Sequence, residues 1–369
     1  MSGERATEEA YSARLAEYRR QIDELDRQLV ALLNERARLA QAIGRLKADG
    51  EDRVYHPERE AQVLRNVLAA NRGPLPDQAL LAIYSEILSA SRALQQPLRV
   101  AYLGPVATFT HEAAKRRFGS SAEFIPCRTI ADVFLATQRG EADYGVVPVE
   151  NSTEGAVAHT LDMFLDTDLQ ICAEILLPIS HNLLGRGRLD QIRRVYSNPQ
   201  ALAQCRRWLQ ENLPQAELIE VASTARAAQL VTDEESAAIA NAAAAEVYGL
   251  PIIAARIEDS ATNLTRFLVI GPRRSPPSGH DRSAVIFAVR DRVGALHDAL
   301  GVFARHGINL TRIESRPSKR RPWEYVFFVD LEGHPEDAHV QAALRELEEQ
   351  CTMVKVLGAW PVEPSPVGR

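Results

Sequence analysis

Seven apolar residues between positions 22 and 46 constrain the fold of this chain more than any other feature. Ile22, Leu25, Leu29, Leu32, Leu39, Ile43 and Leu46 follow steps of three and four, and one member of the series is replaced by Arg36. That spacing predicts a long amphipathic helix with a coiled-coil-like seam. A cation in such a seam must find a partner or displace the packing, because burying an unpaired charge is expensive. Arg36 and Lys47 stand eleven residues apart. On a helix they share a face to within about 20° and lie about 16 Å apart, so both can converge on one anion. Arg19 lies about 25 Å before Arg36 and is rotated by about 100°. It reaches the same anion only from a second, antiparallel chain.

Two further helices are expected, one opening at His56-Pro57-Glu58-Arg59-Glu60, where proline suits a first turn. The other covers residues 77 to 95 and sets Ser91 and Gln95 four apart on one face. The text then changes character. From Leu98 it alternates strands with helices, and GPRRSPPSGHDR (residues 271 to 282), with three prolines and two glycines, reads as a linker. At 369 residues, roughly two or three domains are expected.

Composition narrows the function classes. The apolar fraction is 46%, the charged fraction 25% and the net charge −6. These values fit a globular protein, exclude wholesale disorder and provide no global basic field for nucleic acid or an anionic membrane. The cysteines at 127, 172, 205 and 351 form no C-x-x-C pair, so no metal site or redox pair is expected. The N-terminus lacks an apolar core and no run of 18 apolar residues occurs. We therefore expect no signal peptide and no membrane span, and a cytoplasmic location.

The middle segment places polar residues at strand ends and helix starts. These are Thr108-Phe109-Thr110, Glu150-Asn151-Ser152, Ser197-Asn198 with Gln204, Ser223-Thr224 and Thr265-Arg266. Open α/β sheets hold their ligands at such positions. Taken singly, a serine or threonine there is ordinarily a helix cap, and Arg266 an ion-pair partner. The last segment reads βαββαβ, a ferredoxin-like order.

As sets these residues are more specific. Residues 14 to 96 resemble the all-helical, three-helix chorismate mutase domain through R-x-x-I-x-x-L-D (Arg19 to Asp26), L-L-x-x-R (Leu32 to Arg36), G-x-x-K (Gly44 to Lys47), Arg59-Glu60 and S-x-x-x-Q (Ser91 to Gln95). Residues 98 to 271 resemble prephenate dehydratase domains through A-Y-L-G-P, D-Y-G-V-V-P-V-E-N-S, Y-S-x-P-Q, S-T-A and T-R-F. Asn198 stands where that family often has His. Residues 283 to 362 resemble the ACT domain through G-A-L-H-D-A-L and E-S-R-P.

The resemblances imply a multidomain enzyme. A helical domain spans 8–96, a two-lobed α/β domain of periplasmic-binding-protein type spans 97–271, a linker follows over 272–282, and an α+β regulatory domain spans 283–362. The implied activities are an isomerase converting chorismate to prephenate and a carbon–oxygen lyase converting prephenate to phenylpyruvate, CO2 and water. In the first site, Arg19 of the partner subunit, Arg36, Arg59, His56 and Ser91 bind the dicarboxylate, Lys47 and Gln95 donate to the ether oxygen, and Glu60 accepts the ring hydroxyl. In the second, Thr224 donates to the leaving oxygen with Glu150 as relay. Asn151, Ser152, Ser197, Gln204 and Thr265 bind polar groups, and Arg266 holds a carboxylate. Gly294, Ala295 and Leu296, closed by Glu314, Ser315, Arg316 and Pro317, bind L-phenylalanine as effector at a dimer interface. The implied protein needs no cofactor and is a homodimer or higher homo-oligomer. Rival readings are a dehydratase with a structural mutase domain or a preference for arogenate, and a non-catalytic amino-acid sensor. Fusion to a prephenate dehydrogenase is rejected, because Gly185-Arg186-Gly187 lacks the third glycine of a dinucleotide turn.

Overall fold

The computed structural model describes residues 2–48, 55–260, 262–318 and 324–362, and its side chains from residue 11 onward except those of 47 and 48. Three helices come first: α1 (Ser2–Ala48), α2 (Pro57–Ala70) and α3 (Asp77–Ala93). Pro57 occupies the first turn of α2, as expected. All seven seam residues of α1 are more than half exposed. Within one chain, the apolar stripe is left without cover.

The α/β region follows in two lobes. The first holds β1 (Arg99–Leu103), α4 (Phe109–Phe118), β2 (Glu123–Cys127), α5 (Ile130–Gln138), β3 (Tyr144–Asn151), β4 (Gly155–Ala156), α6 (Ala158–Met163) and β5 (Gln170–Pro178). The second holds β6 (Asn182–Gly185), β7 (Arg194–Ser197), α7 (Pro199–Gln204), α8 (Arg206–Asn212), β8 (Glu217–Glu220), α9 (Thr224–Leu230), β9 (Ser236–Ala240), α10 (Ala242–Tyr248) and β10 (Ile252–Ala254). The chain then returns to the first lobe as β11 (Leu264–Gly271), antiparallel between β3 and β5. Side-chain caps start several of these helices. Thr108, Asn198, Ser223 and Asn241 each accept a main-chain N–H in the first turn of α4, α7, α9 and α10.

The last region is β12 (Asp281–Val289), α11 (Ala295–Arg305), β13 (Leu310–Pro317), β14 (Tyr325–Glu332), α12 (Ala338–Gln350) and β15 (Cys351–Pro361), the expected βαββαβ order. Asp281 and Arg282, assigned to the linker on sequence, belong to β12, where they pair with β15. Trp323 lies outside the described residues.

Two sheets result. The second lobe forms β10-β6-β9-β7-β8, and a ten-stranded sheet runs β13-β14-β12-β15-β5-β11-β3-β1-β2 with β4 beside β3. The sheet of this last region and the first-lobe sheet are thus one sheet, joined where Gly358 of β15 meets Ile171 of β5. A Cβ on Gly358 would lie 2.2 Å from the Ile171 carbonyl oxygen, so only glycine allows this approach. One face of β12 and β14 packs on α11 and α12 through Val285, Phe287, Val329 and Leu331. The opposite face, with Ala284, Ile286 and Phe328, shares a core with Val149, Leu161, Phe164 and Leu268 of the first lobe.

The helical region is fastened to the first lobe as well. Tyr55 is buried in the first-lobe core with Phe118 and Tyr144. Gly119 lets α3 come close: a Cβ there would sit 2.3 Å from Ser89 Cβ.

Candidate functional site

Helices α1, α2 and α3 enclose a cavity of about 260 Å³ lined by Arg36, Ile43, His56, Arg59, Glu60, Ser91, Arg92 and Gln95, among others. Helical spacing brings Arg36 and Ile43 to one face of α1, and Ser91 and Gln95 to one face of α3. Arg36 Nη1 donates to Ser91 Oγ at 2.6 Å, and Ser91 Oγ donates to the Ile87 carbonyl at 2.7 Å. The seam cation therefore has its partner on α3. Gly44 makes room for Gln95, because a Cβ at 44 would lie 2.8 Å from Gln95 Cγ. His56 Nδ1 lies 3.1 Å from Glu58 Oε1. The side chain of Lys47 lies outside the described residues. Arg19 is exposed and does not line the cavity.

Arg92, which no motif singled out, pairs with Glu60 at the cavity wall. Its other terminal nitrogen donates to the Phe118 carbonyl at 2.7 Å. The only sequence signal for it is a charge one residue past Ser91.

The second cluster lies where the two lobes meet. Asn151 Nδ2 donates to Asn263 Oδ1 at 2.9 Å and to Thr265 Oγ1 at 2.8 Å. Asn263 Nδ2 donates to Gln204 Oε1 at 2.9 Å, and Gln204 Nε2 reaches Glu154 Oε1 across the lobes at 3.4 Å. Since Gln204 presents its Oε1 to Asn263, His181 must donate from Nε2 to that same oxygen, at 2.8 Å. In the neutral ring its Nδ1 is then an acceptor, buried and without a hydrogen-bond partner among the described residues. Burial pushes this imidazole below its ordinary range, against the hydrogen bond to Gln204 and the charge of Glu258, which disfavours the charged ring. Asn263, His181 and Glu154 were not singled out on sequence. Asn263 and Glu154 flank quoted motifs, whereas His181 carried no local signal. A second bridge closes the lobes at α4, where Asn241 Nδ2 donates to Glu112 Oε2 at 2.7 Å.

The remaining expected residues stand differently. Ser152 Oγ accepts from Leu264 N at 2.9 Å and donates to the Thr262 carbonyl at 3.3 Å. Ser197 is fully buried and donates to the Ile239 carbonyl at 2.9 Å. Asn198 is the cap of α7. Thr224 opens α9 and is 5% exposed. Among the described residues no hydrogen bond joins its side chain to the Asn151 group.

Glu150 and Arg266 require correction. Adjacent strand residues point to opposite faces, so these two face away from Asn151 and Thr265. Glu150 Oε2 lies 2.8 Å from Arg312 Nε of β13. Arg266 Nε lies 2.9 Å from Glu174 Oε2, while Nη1 pairs with Asp330 of β14. Its guanidinium sits 5.7 Å from the Trp360 ring centroid. Burial opposes the charge on Arg266, but Asp330 and Glu174 outweigh it and raise its pKa. A guanidinium so occupied has no fork left for a substrate carboxylate. Both residues bind the C-terminal region instead, with Arg282–Glu174 at 3.0 Å and Arg316–Asp162 at 3.2 Å beside them.

In that region Gly294 adopts φ 78° ahead of α11, a conformation that favours glycine, with Ala295 and Leu296 following it in the helix. Glu314, Ser315, Arg316 and Pro317 lie on β13, the outermost strand of the large sheet. Among the described residues no side-chain hydrogen bond or ion pair joins the two groups.

Three family models match the chain: chorismate mutase type II over residues 18–96, prephenate dehydratase over 100–275 and ACT domain over 283–349. A protein of Aquifex aeolicus (strain VF5) named bifunctional chorismate mutase/prephenate dehydratase is 50% identical over 353 residues, covering 94% of this chain and 98% of that one. The structure of prephenate dehydratase in complex with L-Phe from Arthrobacter aurescens is similar, with a TM-score of 0.67 and 34% identity over 73% of this chain and 93% of that chain. GqqA, described as a novel type of quorum quenching acylase, also has a TM-score of 0.67, with 31% identity over 72% of this chain and 98% of that chain.

Proposed function

The chain belongs to the bifunctional chorismate mutase/prephenate dehydratase family, and from that premise we propose how its residues divide the two reactions. It isomerises chorismate to prephenate and carries prephenate to phenylpyruvate, with feedback by L-phenylalanine. The helical domain, 8–96, performs the first step. The α/β domain, 97–271, performs the second, and residues 283–362, beyond the linker 272–282, regulate it.

The cavity that gathers Arg36, Arg59, Glu60, Ser91 and Gln95 carries this reading. The rearrangement of chorismate is pericyclic and needs a compact conformer and donors at the ether oxygen, where charge develops. Arg36, steadied by Ser91, and Arg59 hold carboxylates in the guanidinium's bidentate geometry, beside His56. Lys47 and Gln95 donate to the ether oxygen, and Glu60 accepts the ring hydroxyl. Arg19 of the partner subunit completes the site in a homodimer, a reading supported by the uncovered seam of α1.

Prephenate loses its ring carboxylate as CO2 and its ring hydroxyl as water, the departing oxygen taking up one proton from solvent. The electron pair of the breaking C–C bond enters the ring as the C–O bond breaks. Thr224 donates a hydrogen bond to the departing oxygen. Asn151, Thr265 and Gln204, ordered by Asn263 and His181, bind the polar groups, while Ser152 and Ser197 shape the loops around them.

L-phenylalanine binds at Gly294, Ala295 and Leu296. Glu314 to Pro317 on the free strand edge close the pocket across the dimer. The neighbour described in complex with L-Phe supports this reading. Four buried free thiols fit a reducing cytoplasm, and among the described residues no helix is long and apolar enough to cross a membrane. An acylase would need a nucleophile activated by a base. Among the described cleft residues, Ser152 and Ser197 donate to main-chain carbonyls, so that reading gains no support.

Two variants test the assignment. Lys47→Ala is expected to lower mutase turnover by about 10²–10³-fold, as loss of one transition-state donor does, and to spare prephenate turnover. Thr224→Ala is expected to do the reverse. Full activity in a folded variant overturns the corresponding role.

A further inference from the structure

Arg92 is 6% exposed, lines the mutase cavity and divides its guanidinium between two domains. Nη1 pairs with Glu60 of α2, and Nη2 donates to the carbonyl of Phe118, the last residue of α4 in the dehydratase domain. That carbonyl belongs to the last turn, where C=O groups have no helical donor and the helix dipole favours a cation. The ring of Tyr55 lies 5.6 Å from the guanidinium of Arg92 and equally 5.6 Å from that of Arg117. Arg117 Nε in turn donates to Tyr55 Oη at 2.6 Å. The end of α4 therefore fixes where Arg92 sits, and Arg92 fixes where the Glu60 carboxylate points.

We propose that Arg92 is a positioning residue for the mutase reaction, holding Glu60 oriented toward the ring hydroxyl and taking its own position from the dehydratase helix α4. The inference rests on the reading of Glu60 as the group that accepts that hydroxyl. A glutamate has three side-chain torsions, and a fixed planar partner removes the freedom that misplaces its oxygens. Small misplacements of a reacting contact cost large factors in rate.

The test uses the full chain with Arg92→Met, Arg92→Lys, Glu60→Gln and the double variant Arg92→Met/Glu60→Gln. Turnover of chorismate and of supplied prephenate is measured separately. Arg92→Met is expected to lower mutase kcat about 10- to 100-fold with a smaller change in KM. Arg92→Lys, which keeps the charge but not the fork, is expected to recover part of that loss. The double variant is expected to be no worse than Glu60→Gln alone, because one residue acts through the other. Prephenate turnover is expected to stay within about twofold of wild type throughout. Multiplying defects in the double variant would overturn the proposal, as would full mutase activity in Arg92→Met or parallel loss of both activities in Arg92→Lys. Full mutase activity in Glu60→Gln would instead remove the reading of Glu60 beneath it.

Discussion

At position 44 a hydrogen atom is all that fits between α1 and Gln95. Replacing it with a methyl group brings Cβ to 2.8 Å from Gln95 Cγ and 3.0 Å from Oε1, so the amide must swing away from the cavity. Alanine also improves an exposed helix by about 1 kcal/mol over glycine. Gly44→Ala is therefore expected to lower mutase kcat by about tenfold or more without lowering the melting temperature, and to leave prephenate turnover alone. Unchanged chorismate kinetics would contradict the placement of Gln95. Residue identities at this site were legible because helical spacing turns sequence into faces. In the α/β domain the motifs marked the right strands but not their faces. Asn151 and Thr265 meet each other, while Glu150 and Arg266, one residue away on each strand, meet Arg312 and Asp330. Their partners lie far off in sequence, so no local spacing announced them. The same holds for His181 and Arg92, whose roles come from Gln204 and Phe118.

At the scale of elements, α1 shows the clearest agreement between pattern and structure, and the clearest deficit. Its seam residues were read as an apolar stripe, and within one chain every one of them is more than half exposed. In the proposed dimer a partner helix covers that stripe, and Arg19 of the partner subunit reaches the cavity. Arg19→Met and Arg36→Met are each expected to abolish mutase activity. Mixed dimers of the two carry one intact site and one doubly altered site. Co-refolding equal amounts is expected to restore about a quarter of wild-type mutase activity, since half the dimers are mixed and half their sites intact. No recovery in verified mixed dimers would contradict a site shared between subunits. Helix starts were legible for a simple reason: a cap acts within three residues. Asn198 and Ser223, read as members of binding motifs, serve as caps of α7 and α9.

The whole molecule is more continuous than its sequence suggests. A Pro- and Gly-rich segment reads as a tether between independent units. The structure instead carries Asp281 and Arg282 into β12 and runs one ten-stranded sheet through the Gly358–Ile171 contact. A shared apolar core and a rim of ion pairs, including Arg312–Glu150 and Arg266–Asp330, hold the regulatory sheet to the first lobe. Strand pairing between residues so far apart leaves no local pattern, whereas the order of elements within each unit does. Through β15 and β5 the C-terminal sheet is continuous with β11 and β3, the strands that bear Thr265 and Asn151. Feedback needs such a connection, because an effector acts only through a difference in its binding to two states. The most direct test supplies chorismate to the purified protein without nicotinamide cofactor and follows chorismate, prephenate and phenylpyruvate over time, with and without L-phenylalanine. The account predicts transient prephenate followed by phenylpyruvate, with phenylpyruvate formation suppressed by L-phenylalanine. Chorismate and supplied prephenate both left unconsumed would contradict it.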